Sequence, residues 1–151
     1  MFYLYGEQNF HEMNDKTLKA LNTLISEICE HKTLDERVSL INAVKGRIHE
    51  ISPFKNEPVD FVAWVKNEKV VANDYNPNNV APPEMQLLEV SIISDGYTQP
   101  IVTFPNEEKI EVVDGFHRSR VGKESVLVKS RVSGFCQLLQ SEKKSKIRTS
   151  A

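Results

Sequence analysis

Cysteine is nearly absent from this chain, which carries only Cys29 and Cys136. Two thiols cannot build a disulfide framework or complete a structural zinc site, so both are expected as small buried hydrophobes and no metal centre is expected. Long apolar runs are absent too. The best of them, residues 59–65, is broken by Asp60, whereas a membrane helix needs about 20 apolar residues in succession. The opening Met1-Phe2-Tyr3-Leu4-Tyr5-Gly6-Glu7 lacks the basic and apolar regions of a signal peptide. With 6 Gly and 7 Pro among 151 residues, 40% hydrophobic and 26% charged, the composition excludes collagen-like, low-complexity and disordered chains. The expectation is a soluble, cytoplasmic protein with one main core and no membrane partner.

Charge is distributed unevenly. Residues 1–116 hold 10 Lys+Arg against 19 Asp+Glu, a net of −9, and residues 117–151 hold 9 against 2, a net of +7. A basic C-terminal end suits an anionic partner such as phosphate, nucleotide or nucleic acid. It equally suits two halves that neutralise each other within one fold.

Two helices are predicted first. Asn14 caps a run in which Leu18, Leu21, Ile25 and Ile28 recur at helical spacing, and Thr33 with Glu36 forms a capping box. Leu34, Val38, Ile41, Val44, Ile48 and Ile51 continue as a second stripe that ends before Pro53. The short connection at His31 and Lys32 predicts an antiparallel helical hairpin. Residues 52–58 read as a linker. From Val59 the period shortens to that of a strand, Asn67-Glu68-Lys69 turns the chain, and Val70-Val71-Ala72 gives a short second strand. Residues 73–79 are dense in turn formers. A helix from Pro83 to about Ser94 stops at Gly96, strands follow at residues 101–103 and 110–113, and Pro105-Asn106-Glu107 turns between them. Residues 126–135 return to a broken apolar alternation, and the tail from Ser141 has little to bury.

The stretch Asp114-Gly115-Phe116-His117-Arg118-Ser119-Arg120 follows a strand and opens a helix. Glycine lets the backbone bring amides close to a ligand, the first free N–H groups of a helix point at an anion, and Arg118 and His117 add donors. The same residues also suit a solvated turn with three basic side chains.

Taken in order, Gly96-Tyr97-Thr98-Gln99-Pro100-Ile101-Val102 and Val113-Asp114-Gly115-Phe116-His117-Arg118-Ser119-Arg120, with the Asn76-Pro77 step before them, resemble the ParB/sulfiredoxin superfamily. In that superfamily G-x-x-Q-P-I-V precedes a G-E-R-R or G-C-H-R phosphate loop. Within it, N-D-Y-N-P-N with V-D-G-F-H-R-S-R looks most like the IbrB-type proteins. The resemblance covers about residues 59–135. It implies an α+β fold, a small mixed sheet with helices of ParB/sulfiredoxin type, preceded by the helical hairpin. The domains expected are residues 1–58 (hairpin and linker), 59–140 (nucleotide-binding domain) and 141–151 (flexible basic tail).

The function implied is a nucleotide- or phosphate-binding regulatory module, a co-activator or DNA-associated regulator of prophage gene expression. Nucleotide or phosphate falls to Gly115, His117, Arg118, Arg120, Gln99 and Pro100, as a nucleoside tri- or diphosphate with or without Mg²⁺. The partners are a nucleotide and either DNA or a protein. Lys143, Lys144, Lys146 and Arg148 are the DNA-contact candidates. Phe116 stands where sulfiredoxins place their Cys and ParB proteins a Glu. This rejects sulfinic-acid repair and argues for a non-catalytic or weakly catalytic chain. The alternative is a small-molecule kinase with a D-G-x-H-R loop, for which Asp114 and Glu84 are the catalytic candidates; either is also accounted for as a loop cap or a first-turn acid complementing the helix dipole. A ParB-like nuclease lacks a clustered acidic site here.

Overall fold

Capping chemistry starts both N-terminal helices. The structure, a computed structural model, describes residues 14–30, 33–72, 82–106 and 108–141. The turn segment at residues 73–79 with Asn76-Pro77, His11, His31, and the tail cations Lys143, Lys144, Lys146 and Arg148 lie outside the described residues. Helix α1 spans Asp15–Glu30, with Asn14 Oδ1 accepting from Thr17 N–H at 2.9 Å. Helix α2 spans Leu34–Ile51 and opens with the reciprocal box: Glu36 N–H donates to Thr33 Oγ1 and Thr33 N–H to Glu36 Oε2, both at 3.2 Å. The chain divides into two compact units at Val44/Lys45, inside α2.

In the first unit no residue of α1 is buried, and Leu18 and Ile25 are exposed. Cys29 is therefore exposed rather than buried: its helix has no fully covered face on which to hide a thiol.

The second unit is a five-stranded mixed sheet with helices. The strands are β1 (Val62–Lys66), β2 (Val70–Val71), β3 (Ile101–Asn106), β4 (Lys109–Asp114) and β5 (Phe135–Gln140), in spatial order β1-β5-β3-β4-β2. β5 runs antiparallel to β1 and parallel to β3, while β4 runs antiparallel to β3 and parallel to β2. Val70, Ile101, Val112, Cys136 and Leu138 form the sheet core. Helices α3 (Pro82–Asp95), α4 (Phe116–Glu124) and α5 (Val126–Arg131) pack on one another, around Ile92, Val121 and Val128. Tyr97 packs against both clusters.

Three boundaries differ from the sequence expectation, each for a local reason. Val59 and Asp60 belong to a 3₁₀ turn, Pro58–Asp60, not to β1, because the Asp60 carboxylate is engaged by Ser52 Oγ at 3.0 Å and His49 at 2.6 Å. Pro105 and Asn106 stay in β3, paired with Ile110 and Lys109, and Asn106 Nδ2 donates to Glu111 Oε2 at 3.0 Å. The stretch from Val126 is helical, not extended. Ser125 is its N-cap, accepting from Val128 N–H at 3.2 Å, and donates its own hydroxyl hydrogen to Glu89 on α3. Gly134, at φ +76°, then turns the chain into β5.

Candidate functional site

Strand β4 delivers the chain to Gly115 and α4 leads it away. Gly115 is the N-cap of α4 at φ 87°, ψ 25°, a left-handed conformation that an L side chain pays to adopt. A Cβ there would stand 2.8 Å from Arg118 Nη2, so the guanidinium would have to shift. Having no side chain, Gly115 cannot accept from the first turn as Ser, Asp or Asn would. The first intrahelical bond is Ser119 N–H to Gly115 O at 2.9 Å. The amides of Phe116, His117 and Arg118 therefore have no acceptor within the helix, and they carry the positive end of its dipole.

Arg118 is held from the far side. Its Nη1 donates to Gln99 Oε1 at 3.3 Å and its Nη2 to Pro100 O at 3.4 Å. The Asp114 carboxylate lies 4.0 Å from Nη2 and is itself largely open, with 70% of its side-chain surface accessible. The guanidinium is thus aimed by the segment that enters β3. Its Nε is buried with no hydrogen-bond partner, and so is His117 Nδ1. Each buried polar atom left unpaired costs about 1–3 kcal/mol. Both nitrogens belong to residues of the first turn of α4.

The remaining sequence candidates divide. Gln99 and Pro100 join the cluster, but as acceptors that hold Arg118 rather than as groups facing outward. Phe116 turns inward to the sheet core and meets the His117 ring edge-on at 5.6 Å, so an apolar residue at that position anchors α4. Arg120 is engaged elsewhere: its Nε donates to Glu124 Oε1 at 3.0 Å, one turn along an exposed face. Glu84 is exposed in the first turn of α3, and among the described residues it makes no bond to the loop. Among the described residues Asp114 is the carboxylate beside the cluster. Among the described residues no three His, Cys, Asp or Glu side chains gather as metal ligands.

Sequence reasoning missed the seat on which α4 rests. Asn67 is buried and its Nδ2 donates to Gly122 O at 3.0 Å and to Phe135 O at 3.4 Å. A Cβ on Gly122 would meet Tyr97 Oη at 2.5 Å and both Asn67 amide atoms at 3.1 Å. The Tyr97 hydroxyl is buried without a partner and is pushed up to about 12 by burial, with Cys136 adding to the shift. Lys123 donates to Val70 O. These contacts join residues 25–68 positions apart, and no local pattern announces them.

No protein-family model matches the chain. The uncharacterized protein YbdM of Escherichia coli (strain K12) is 47% identical over 124 residues, which cover 82% of this chain and 59% of YbdM. This chain therefore spans less than two thirds of that relative. Among solved structures, C-terminally truncated chromosome-partitioning protein ParB of Caulobacter crescentus complexed with CTP-γ-S matches with a TM-score of 0.44 and 18% identity, covering 56% of this chain and 46% of that one. The same protein complexed to the centromeric parS site gives 0.39 and 19%, covering 54% and 40%. Similarity at this level transfers neither ligand nor partner.

Proposed function

We propose that this chain is a ParB-like nucleotide- or phosphate-binding regulatory module, a co-activator or DNA-associated regulator of prophage gene expression. The observation that carries the reading is the Arg118 guanidinium: braced by Gln99 and Pro100, with Nε buried and unpaired beside the Gly115 helix start. A phosphate group there would accept from the helix-start amides and the Arg118 guanidinium, in the way helix N-termini hold phosphate groups. The ligand class is a nucleoside tri- or diphosphate, with or without Mg²⁺. Phe116 packs into the core and supplies no nucleophile or base, which supports a binding role over hydrolysis. Contact between DNA and the tail lysines belongs to the same proposal.

One observation favours a second reading, a small-molecule phosphotransferase. Asp114 is open to solvent 4.0 Å from Arg118, placed to accept a proton from a substrate hydroxyl.

A thermal-shift series across ATP, ADP, CTP and GTP, with and without Mg²⁺, tests both. A ligand at 100 times its Kd adds about 2.7 kcal/mol of stability. Arg118→Ala is expected to weaken binding by about 1.5–3 kcal/mol, roughly tenfold to a hundredfold, with the circular dichroism spectrum unchanged. Equal affinity of mutant and wild type by calorimetry rejects the loop as the site. Product formation that disappears in Asp114→Asn assigns the phosphotransferase instead.

A further inference from the structure

The strand directions put the Gly115 loop at the start of β3 and the end of β4. The opposite edge of the sheet is formed by the end of β3, the end of β5 and the start of β1. A cleft of about 440 Å³ opens at that opposite edge, a size within the range of small-molecule sites, roughly 300–1,000 Å³. Its walls are unlike the loop.

His49, in the last turn of α2, lines the cleft and stacks on Phe61 with centroids 5.6 Å apart and planes at 23°. Its Nδ1 is committed to Asp60 Oδ2 at 2.6 Å. The other Asp60 oxygen accepts from Ser52 Oγ at 3.0 Å, and Ser52 Oγ in turn accepts from Phe54 N–H at 3.1 Å. Each carboxylate oxygen is thus engaged once, and the effect is to fix the imidazole, leaving Nε2 as the ring atom still available. Lys55, Asn56 and Gln140 line the same cleft, and Phe104 adds a second aromatic wall. None of the described lining residues is acidic. The Lys55 ammonium makes no ion pair among the described residues. Two aromatic rings in the walls suit a flat body, while an ammonium and side-chain amide N–H groups select a negative group.

We propose that this cleft is a second ligand site, separate from the Gly115 loop, for a small planar molecule bearing a carboxylate or a phosphate. Lys55 binds the anionic group together with the Asn56 and Gln140 side-chain amides, and Phe61 and Phe104 hold the planar part. The site stands whether or not the loop binds nucleotide, because no residue is shared between them.

Titration of the ¹⁵N-labelled full chain with benzoate, phenyl phosphate and uncharged benzamide tests it. At least one anion is expected to give saturable shifts at Phe61, Phe104 and Gln140, and benzamide none. The tighter of the two anions identifies the acidic group. Lys55→Ala, on an exposed side chain, is expected to raise the Kd about tenfold, and Arg118→Ala to leave it unchanged. The proposal is overturned by equal binding of benzamide, by no saturable shift with either anion, or by an affinity indifferent to Lys55→Ala. Sensitivity to Arg118→Ala also overturns it, since the anion then sits in the loop.

Discussion

The two edges of the sheet present hydrogen-bond donors by different means. At the Gly115 edge the donors are main-chain amides and side chains from residues 115–118, braced by Gln99 and Pro100. At the His49 edge they are side chains from the turn after α2 and the end of β5. The first arrangement needs one glycine at positive φ and one helix start, so it is written within four consecutive residues. The second exists only once strands β1, β3 and β5 have been laid side by side. Separate construction implies separate failure.

Gly122→Ala is expected to break the loop edge hardest. Its Cβ has no room against Tyr97 Oη and Asn67, and overpacking of this kind costs about 1–3 kcal/mol. Because Gly122 lies on α4, displacing that helix moves the amides and Arg118 with it, so phosphate affinity should fall along with stability. The His49 cleft shares no element with α4, and its benzoate response should persist under conditions where the mutant remains folded. Adding Tyr97→Phe removes the closest atom and is expected to return part of the loss. Denaturant midpoints of the two single variants and the double variant, each with both titrations, measure this. Equal loss at both edges would join what the structure separates.

The asymmetry between the edges also governs what was legible in the sequence. Asn14, the Thr33–Glu36 box, Gly96 and Gly115 act on residues one to four positions away, and the structure places each of them where local pattern reading does. The α+β class and the clustering of Gln99, Pro100, Gly115 and Arg118 followed from such signals, read with the superfamily motif. What failed depended on distant partners. Val59 and Asp60 left the strand because Ser52 and His49 hold the Asp60 carboxylate. Residues from Val126 became helical because Ser125 caps them and reaches Glu89, 36 positions earlier. Arg120 left the cluster for Glu124, an i,i+4 pairing that was legible but outweighed by its match to the motif. The Asn67–Gly122–Tyr97 seat spans too much chain for any local pattern.

A smaller effect is expected from Asp60→Asn, which acts on the other edge. The hydrogen bond from His49 holds the Asp60 carboxyl below its ordinary value of 3.8, against a weaker opposing effect of burial. A depressed carboxyl contributes stability above the unfolded value and loses it as pH falls through the folded one. The acid limb of the stability profile, below about pH 4, therefore belongs in part to the His49 edge. Asp60→Asn should flatten that limb and lower the neutral midpoint by less than Gly122→Ala does. Phosphate binding at Gly115 should hold. An acid limb identical to wild type would remove the ion pair from the account.

Tyr97→Phe is expected to have the smallest effect at neutral pH and the most distinctive one in alkali. The ring packs against both core clusters and meets Trp64 edge-on at 6.2 Å, and phenylalanine keeps all of that. The deleted oxygen is buried and unpaired, a burden of about 1–3 kcal/mol where it is complete. The variant should therefore be as stable as wild type at pH 7, or more stable by about 1 kcal/mol. Burial raises Tyr97 from 10.0 to about 12, and it raises Cys136 from 9.0 to about 12 against an opposing pull from Lys123. Both groups stay protonated in the fold after the unfolded chain has released those protons, so stability falls as pH rises from about 9 towards 12. Tyr97→Phe removes the tyrosine share of that fall and leaves the cysteine share, so the alkaline limb becomes shallower but does not vanish. Urea midpoints at pH 7 and pH 10.5 for wild type and variant read this directly. Asp60→Asn, by contrast, should leave the alkaline limb untouched, which places the acid response at the His49 edge and the alkaline response in the core beneath α4. A Tyr97→Phe protein clearly less stable at pH 7 would mean that the hydroxyl is satisfied, and the packing of Gly122 against it would need another explanation.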